Sequence, residues 1–208
     1  MKILLLSRSV GAVAPFLSSS AGTGTPRLGY VRDAQAAFAD APFVTAERNA
    51  LDALGYELVP IDARTTEPAD LDVLLAELDA LYVASGSTFA LLEALRSSRN
   101  DDVITGRVRA GLPYIGASAG SIIAGPDITP ASLMDDPADG PSLQDFAGLG
   151  LIDRTVVPHA DGLLPPYPPE LIAKTLQTYG EAHRLLPLRD DQALLVDGAD
   201  QKIIDSRA

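Results

Sequence analysis

The chain has 208 residues, with 28 Asp and Glu against 16 Lys and Arg, and a formal charge of −12. At 47% hydrophobic and 21% charged it describes a globular domain long enough to bury a core, not a disordered chain. The acidic balance, with no Lys/Arg cluster, argues against a nucleic-acid partner. No run reaches the roughly 18 apolar residues of a membrane helix, and Lys2–Leu6 is too short for the apolar region of a signal peptide. The absence of cysteine excludes disulfides, thiolate metal sites and cysteine nucleophiles, and with two histidines a His-based zinc site would lean on carboxylates. These features predict one soluble, cytoplasmic domain over 1–208, with no nucleic-acid or membrane partner.

Taken in chain order, Lys2–Ser7 reads as a strand, and the Gly/Ser/Pro stretch from Ser9 to Pro26 as a loop, mobile or binding. Leu28–Val31 is a second strand, Val44–Leu54 a helix stopped by Gly55, and Tyr56–Ile61 a strand. Asp70 is placed to cap a helix over Leu71–Leu78, followed by a buried strand at Ala80–Ala84. Thr88–Leu95 and Asp101–Arg109 have helical spacing, and Leu112–Ala117 is another apolar strand leading into a helix that fades by Gly125-Pro126. Residues 126–150 are loop-rich. Arg154–Pro158 resumes a strand, Pro169–His183 a helix, and Arg184–Leu188, Ala193–Val196 and Lys202–Ile204 close the chain as strands. Strands alternating with helices predict an α/β fold, a three-layer sandwich whose mostly parallel sheet has helices on both faces.

The segment Tyr114-Ile-Gly-Ala-Ser-Ala-Gly-Ser121 carries the most chemistry. Gly116, Ser118 and Gly120 form Gly-x-Ser-x-Gly between a strand and a helix, the setting of a strained turn that projects a serine hydroxyl. At the helix start the Ala119 N–H is free to donate to an oxyanion, and the helix dipole favours negative charge. A glycine-rich helix cap without chemistry would show the same pattern. A nucleophilic serine needs a base, and only His159 and His183 are available. His159 follows a strand, at the sheet edge where Ser118 emerges, and is preferred; His183 lies late in a helix, where a histidine complements the dipole. The base needs an orienting carboxylate. Asp190 comes first and Asp191 second, both in Leu188-Arg-Asp-Asp-Gln192 between two late strands. Asp135 and Asp136 sit in the middle loop and read as solvated, and Asp161 is too near His159 in sequence to reach its far ring nitrogen. In Tyr82-Val-Ala-Ser-Gly-Ser-Thr-Phe89, Gly86 permits close backbone approach and offers a second oxyanion N–H, unless the segment is only a strand-to-helix turn capped by Ser87 or Thr88.

Three segments together, Val83-Ala-Ser-Gly-Ser-Thr-Phe89, Tyr114-Ile-Gly-Ala-Ser-Ala-Gly120 and Val156-Val-Pro-His159, resemble landmarks of the peptidase E family. There they read approximately G-G-G-N-T-F, Y-I-G-x-S-A-G and I-N-P-H, in the same order and at similar spacing. The family comprises S51-type serine peptidases on a fold like the class I glutamine amidotransferases, and its typical member removes an N-terminal aspartate from dipeptides with a Ser-His-Glu triad. The resemblance implies Ser118 as nucleophile, His159 as base, Asp190 at the position of the triad glutamate, Gly86 and Ala119 as oxyanion donors, and no metal or organic cofactor. It also implies a homodimer. The chain departs from the family pattern in its shorter acid, in Ser85 and Ser87 for a glycine and an asparagine, and in Tyr167-Pro-Pro-Glu-Leu-Ile-Ala-Lys174. That last segment lacks the arginine that holds the substrate's aspartate, and the chain stops soon after its last strand where longer members continue. Activity on Asp-X dipeptides is therefore expected to be weak or absent.

The readings that compete are a serine peptidase-like hydrolase of small peptides, an amidase or esterase on another substrate, and a binding domain that keeps these residues as structure. Labelling of Ser118 by a fluorophosphonate separates the enzymatic readings from the last, and a substrate panel separates the first two.

Overall fold

The computed structural model describes residues 1–18 and 25–207. Its strands are β1 (Lys2–Leu6), β2 (Arg27–Val31), β3 (Glu57–Ile61), β4 (Ala80–Val83), β5 (Tyr114–Ala117), β6 (Thr155–Val157), β7 (Leu185–Pro187), β8 (Gln192–Asp197) and β9 (Asp200–Asp205). Its helices are α1 (Val13–Ser18), α2 (Pro42–Asp52), α3 (Pro68–Leu75), α4 (Thr88–Ser98), α5 (Asn100–Arg109), α6 (Ala119–Ile122) and α7 (Pro169–Tyr179). Seven strands form the main sheet in the order β3-β2-β4-β5-β1-β8-β9. β1 to β5 run parallel, and β8 and β9 close one edge antiparallel.

The period-two alternation of a strand explains why β1 is buried on both sides. Ile3 and Leu5 join Leu81, Val83 and Tyr114 on one face, packed under α3, α4 and α5 through Leu71, Leu91, Leu95 and Ile104. Leu4 and Leu6 join Tyr30, Tyr82 and Ile115 on the other, covered by Val13, Phe16 and Leu17 of α1 and by Leu51 of α2. Helices on both faces of a mostly parallel sheet give the α/β/α architecture expected from the alternation of elements.

Several boundaries differ from the expected ones. α1 occupies part of the Gly/Ser/Pro stretch, because Val13, Phe16 and Leu17 have an apolar face to bury; residues 19–24 of that stretch lie outside the described residues. α3 begins at Pro68 with Glu67 before it, so Asp70 stands in its first turn and is not its cap. Proline suits that position because its missing N–H would be unpaired there anyway. α6 is one short turn, and α7 ends at Tyr179, leaving His183 beyond it. β6 and β7 pair with each other in a separate two-stranded sheet rather than extending the main one. Within 126–150 two short 3-10 turns, Thr129–Leu133 and Pro137–Asp139, break the loop.

Candidate active site

Parallel strands bring the C-terminal ends of β1, β4 and β5 to one edge, and there the chain turns three times. The sharpest turn follows β5. Ser118 has φ 46° and ψ −103°, a strained conformation for a residue with a side chain, costing on the order of 1–3 kcal/mol. Its surroundings impose it. A Cβ on Gly116 would sit 2.4 Å from the Gly120 carbonyl oxygen, and one on Gly120 would sit 2.2 Å from that of Val83, so only glycine permits this close approach. The Ser118 N–H donates to the Leu6 carbonyl at 3.0 Å. The buried Ser121 hydroxyl reaches the Leu6 carbonyl at 2.7 Å and that of Gly116 at 2.8 Å, while the Tyr114 hydroxyl donates to the Gly120 carbonyl at 2.6 Å. The turn is pinned on every side, and Ala119 opens α6 with its N–H ahead of the helix's own hydrogen-bond ladder.

His159 stands just past β6, also at positive φ (59°), and is 4% exposed. Its Nε2 lies 3.2 Å from Ser118 Oγ and its Nδ1 lies 2.6 Å from Asp190 Oδ1. Three residues widely separated in the chain thus form one hydrogen-bonded line. The small β6–β7 sheet holds its far half in place: the Leu188 N–H donates to the Val157 carbonyl and the Ala160 N–H to the Leu188 carbonyl, both at 2.9 Å.

Asp190 is held from several directions. The Ser7 hydroxyl donates to Oδ1 at 3.1 Å and itself accepts the His159 backbone N–H at 2.8 Å. Arg8 lies 3.6 Å from Oδ2, and Asp161 Oδ2 accepts the Asp190 backbone N–H at 3.1 Å. Burial opposes ionisation of Asp190, but the hydrogen bond and charge of His159, the Ser7 hydroxyl and Arg8 outweigh it and keep the carboxyl below its ordinary range.

The second turn, after β4, carries Gly86 at φ 135°, where a Cβ would meet the Ala34 carbonyl oxygen at 2.2 Å. Val83 pairs with Gly116 across the sheet, which brings the 84–87 turn beside Ser118. Ser87 accepts the Ala90 N–H at 3.3 Å as the cap of α4. Ser85 donates both its backbone N–H (3.2 Å) and its hydroxyl to Glu47 of α2. Burial raises the Glu47 carboxyl above its ordinary range despite those two hydrogen bonds.

The remaining candidates lie apart from this line. Asp191 faces Arg189 at 3.2 Å and Arg207 at 3.5 Å, Asp136 caps the Pro137–Asp139 turn, and His183 sits against Tyr179 with Asp127 3.9 Å away. Asp135 is not solvated as the sequence suggests. Its Oδ2 accepts both the Thr88 N–H at 3.0 Å and the Thr88 hydroxyl at 2.5 Å, and burial raises its carboxyl. Sequence reasoning also passed over Ser7 and Tyr167. A serine directly after the first central strand is the one signal that marks Ser7, whereas Tyr167, whose ring stacks on His159, carries none. Among the described residues no group of three or more His, Asp or Glu side chains is arranged to hold a metal ion, and no helix is long and apolar enough to cross a membrane.

The model of peptidase family S51 matches residues 3–204. The uncharacterized peptidase PM1590 of Pasteurella multocida (strain Pm70) is 35% identical over 162 residues, covering 78% of this chain and 76% of that one. Peptidase E of Streptomyces coelicolor is 35% identical over 166 residues, which are 76% of this chain and 64% of that one. Among solved structures, a candidate peptidase E protein of Listeria monocytogenes EGD-e superposes with a TM-score of 0.85 at 25% identity, over 98% of both chains. A peptidase from an acI-B1 actinobacterium, 17% identical, shares the fold with a TM-score of 0.72 over 98% of this chain and 87% of that one. The chain belongs to peptidase family S51 and is a peptidase-type hydrolase.

Proposed function

We propose that the protein hydrolyses small peptides through an acyl-enzyme formed on Ser118, with His159 as base and Asp190 as the orienting acid. The line Ser118 Oγ–His159 Nε2–His159 Nδ1–Asp190 Oδ1, at 3.2 and 2.6 Å, carries this reading. Asp190, ionised and acceptor-only, takes the Nδ1 proton as a hydrogen bond and leaves Nε2 with its lone pair toward Ser118. Ser118 Oγ attacks the scissile carbonyl carbon while its proton passes to Nε2. The oxyanion is met by the N–H groups of Ala119 and Gly86. The C–N bond then breaks as Nε2 gives that proton to the departing amine. A water molecule attacks the ester, its proton goes to Nε2, the C–Oγ bond breaks, and Ser118 recovers its proton as the carboxylic acid leaves.

The substrate's N-terminal residue is not aspartate. A substrate carboxylate shielded from water needs a cationic partner, and an arginine suits it better than a lysine. Here the helix after His159 opens on Pro168-Pro169-Glu170 and offers no arginine through Lys174. Side-by-side assay of Asp-Leu, Ala-Leu and Lys-Leu with the wild type and Ser118→Ala tests both parts. Cleavage of Ala-Leu or Lys-Leu above Asp-Leu, abolished in Ser118→Ala, is the expected result; efficient cleavage of Asp-Leu alone overturns the specificity, and undiminished turnover in Ser118→Ala overturns the mechanism.

A further inference from the structure

The ring of Tyr167 lies flat on the imidazole of His159, centroids 4.7 Å apart and planes 4° from parallel. The two hydrogen bonds of an imidazole lie in its plane and resist motion out of that plane only weakly, so a ring stacked flat against it restrains what its two nitrogens hold least well. Tyr167 is itself held at both ends. Its backbone N–H donates to the Leu164 carbonyl at 2.8 Å, and it is followed by Pro168 and Pro169, whose rings fix the approach to α7. Pro169 packs so closely on Gly162 that a Cβ there would be 2.7 Å from the proline ring. At the other end the Tyr167 hydroxyl reaches Asp135 Oδ1 at 3.5 Å, and the other oxygen of Asp135 grips Thr88, two residues past Gly86.

We propose that Tyr167 is a positioning residue for His159, its ring keeping Nε2 on Ser118 and Nδ1 on Asp190. The inference rests on the serine mechanism above. An aromatic ring, rather than apolar bulk or the hydroxyl, supplies the restraint. Small displacements of a catalytic group cost roughly a hundredfold in rate, so loss of the flat ring should be felt at Ser118 without changing what binds there.

The test compares wild type, Tyr167→Phe, Tyr167→Leu and Tyr167→Ala for reaction of Ser118 with a fluorophosphonate, separating the limiting rate from the half-saturating concentration. Tyr167→Phe should stay within about threefold of wild type, while Tyr167→Leu and Tyr167→Ala should lose roughly tenfold to a hundredfold in limiting rate with little change in half-saturation. Leucine retains apolar bulk, so its loss together with alanine, and recovery by phenylalanine, separates the ring from general packing. Wild-type rates in the leucine variant, or a phenylalanine variant as slow as alanine, would overturn the proposal. If the wild type itself does not react, the serine mechanism falls. The downfield proton resonance of the His159 Nδ1–H bond to Asp190 then decides the clamp alone: it should persist in wild type and Tyr167→Phe and broaden away in the other two, and its persistence in all four would overturn the proposal.

Discussion

Ser7 Oγ donates a hydrogen bond to Asp190 Oδ1 at 3.1 Å across 183 positions of sequence, and Ser7 Oγ itself accepts the His159 backbone N–H at 2.8 Å. One small side chain at the end of β1 therefore sets both the backbone of the base and the carboxylate that orients it. Ser7→Ala leaves the buried His159 N–H unpaired, which costs about 1–3 kcal/mol of stability. We expect a lower Tm together with a severalfold fall in kcat and little change in KM; an unchanged Tm would show that the bond contributes nothing.

Asp190 and Asp191 are adjacent but are predicted to behave differently. Asp190→Ala removes the partner of His159 Nδ1 and should lower kcat by about 10³–10⁴-fold. Asp191→Ala breaks only exposed pairs with Arg189 and Arg207, and such pairs contribute about 0–1 kcal/mol. Turnover of that variant should stay within about threefold of wild type, because its loss touches no atom of the site. Parallel kinetics on the two proteins provide the check.

Two glycines test the packing of the turn. Gly120→Ala would drive a methyl group to 2.2 Å from the Val83 carbonyl oxygen, and that backbone must move. Overpacking of this kind costs roughly 1–3 kcal/mol or more, and here it should also abolish reactivity of Ser118. Gly106→Ala, in the middle of α5 with open space around the new methyl, should instead stabilise the protein by about 0.5–1 kcal/mol. Thermal melts of both variants check the contrast.

Asp190 and Glu47 should couple stability to pH in opposite directions. The native Asp190 carboxyl is held below its unfolded value of about 3.9, so its contribution is complete above that pH and is lost as pH falls through the depressed value. Burial holds native Glu47 above its unfolded value of about 4.3, so its contribution is complete below that pH and is lost as pH rises through the native value. Glu47→Gln should flatten the alkaline-going decline of Tm, and Asp190→Asn the acid-going one. Tm measured against pH for wild type and both variants checks each sign.

The parts of this molecule legible in its sequence are those whose cause is local. Alternation in β1 and β5, glycines flanking Ser118, and the position of His159 just past a strand are properties of short segments. Asp190 was legible because it too follows a strand. Asp135 was not: its loop composition says solvated, and only the fold brings the first turn of α4 against it, 47 positions away. Ser7 and Tyr167 act through contacts between segments that no periodicity links, and the separate β6–β7 sheet depends on pairing between strands that read like members of the main one. α7 ends at Tyr179 rather than His183, with Gly180, a poor helix former, as its C-cap.

The central claim is that Ser118 is an activated nucleophile. The most direct measurement is intact mass followed by peptide mapping after treatment with a fluorophosphonate, on wild type, Ser118→Ala and His159→Ala. We expect a single adduct on Ser118 in the wild type and none in either variant. No adduct in the wild type, or an adduct that persists in Ser118→Ala, would contradict the account.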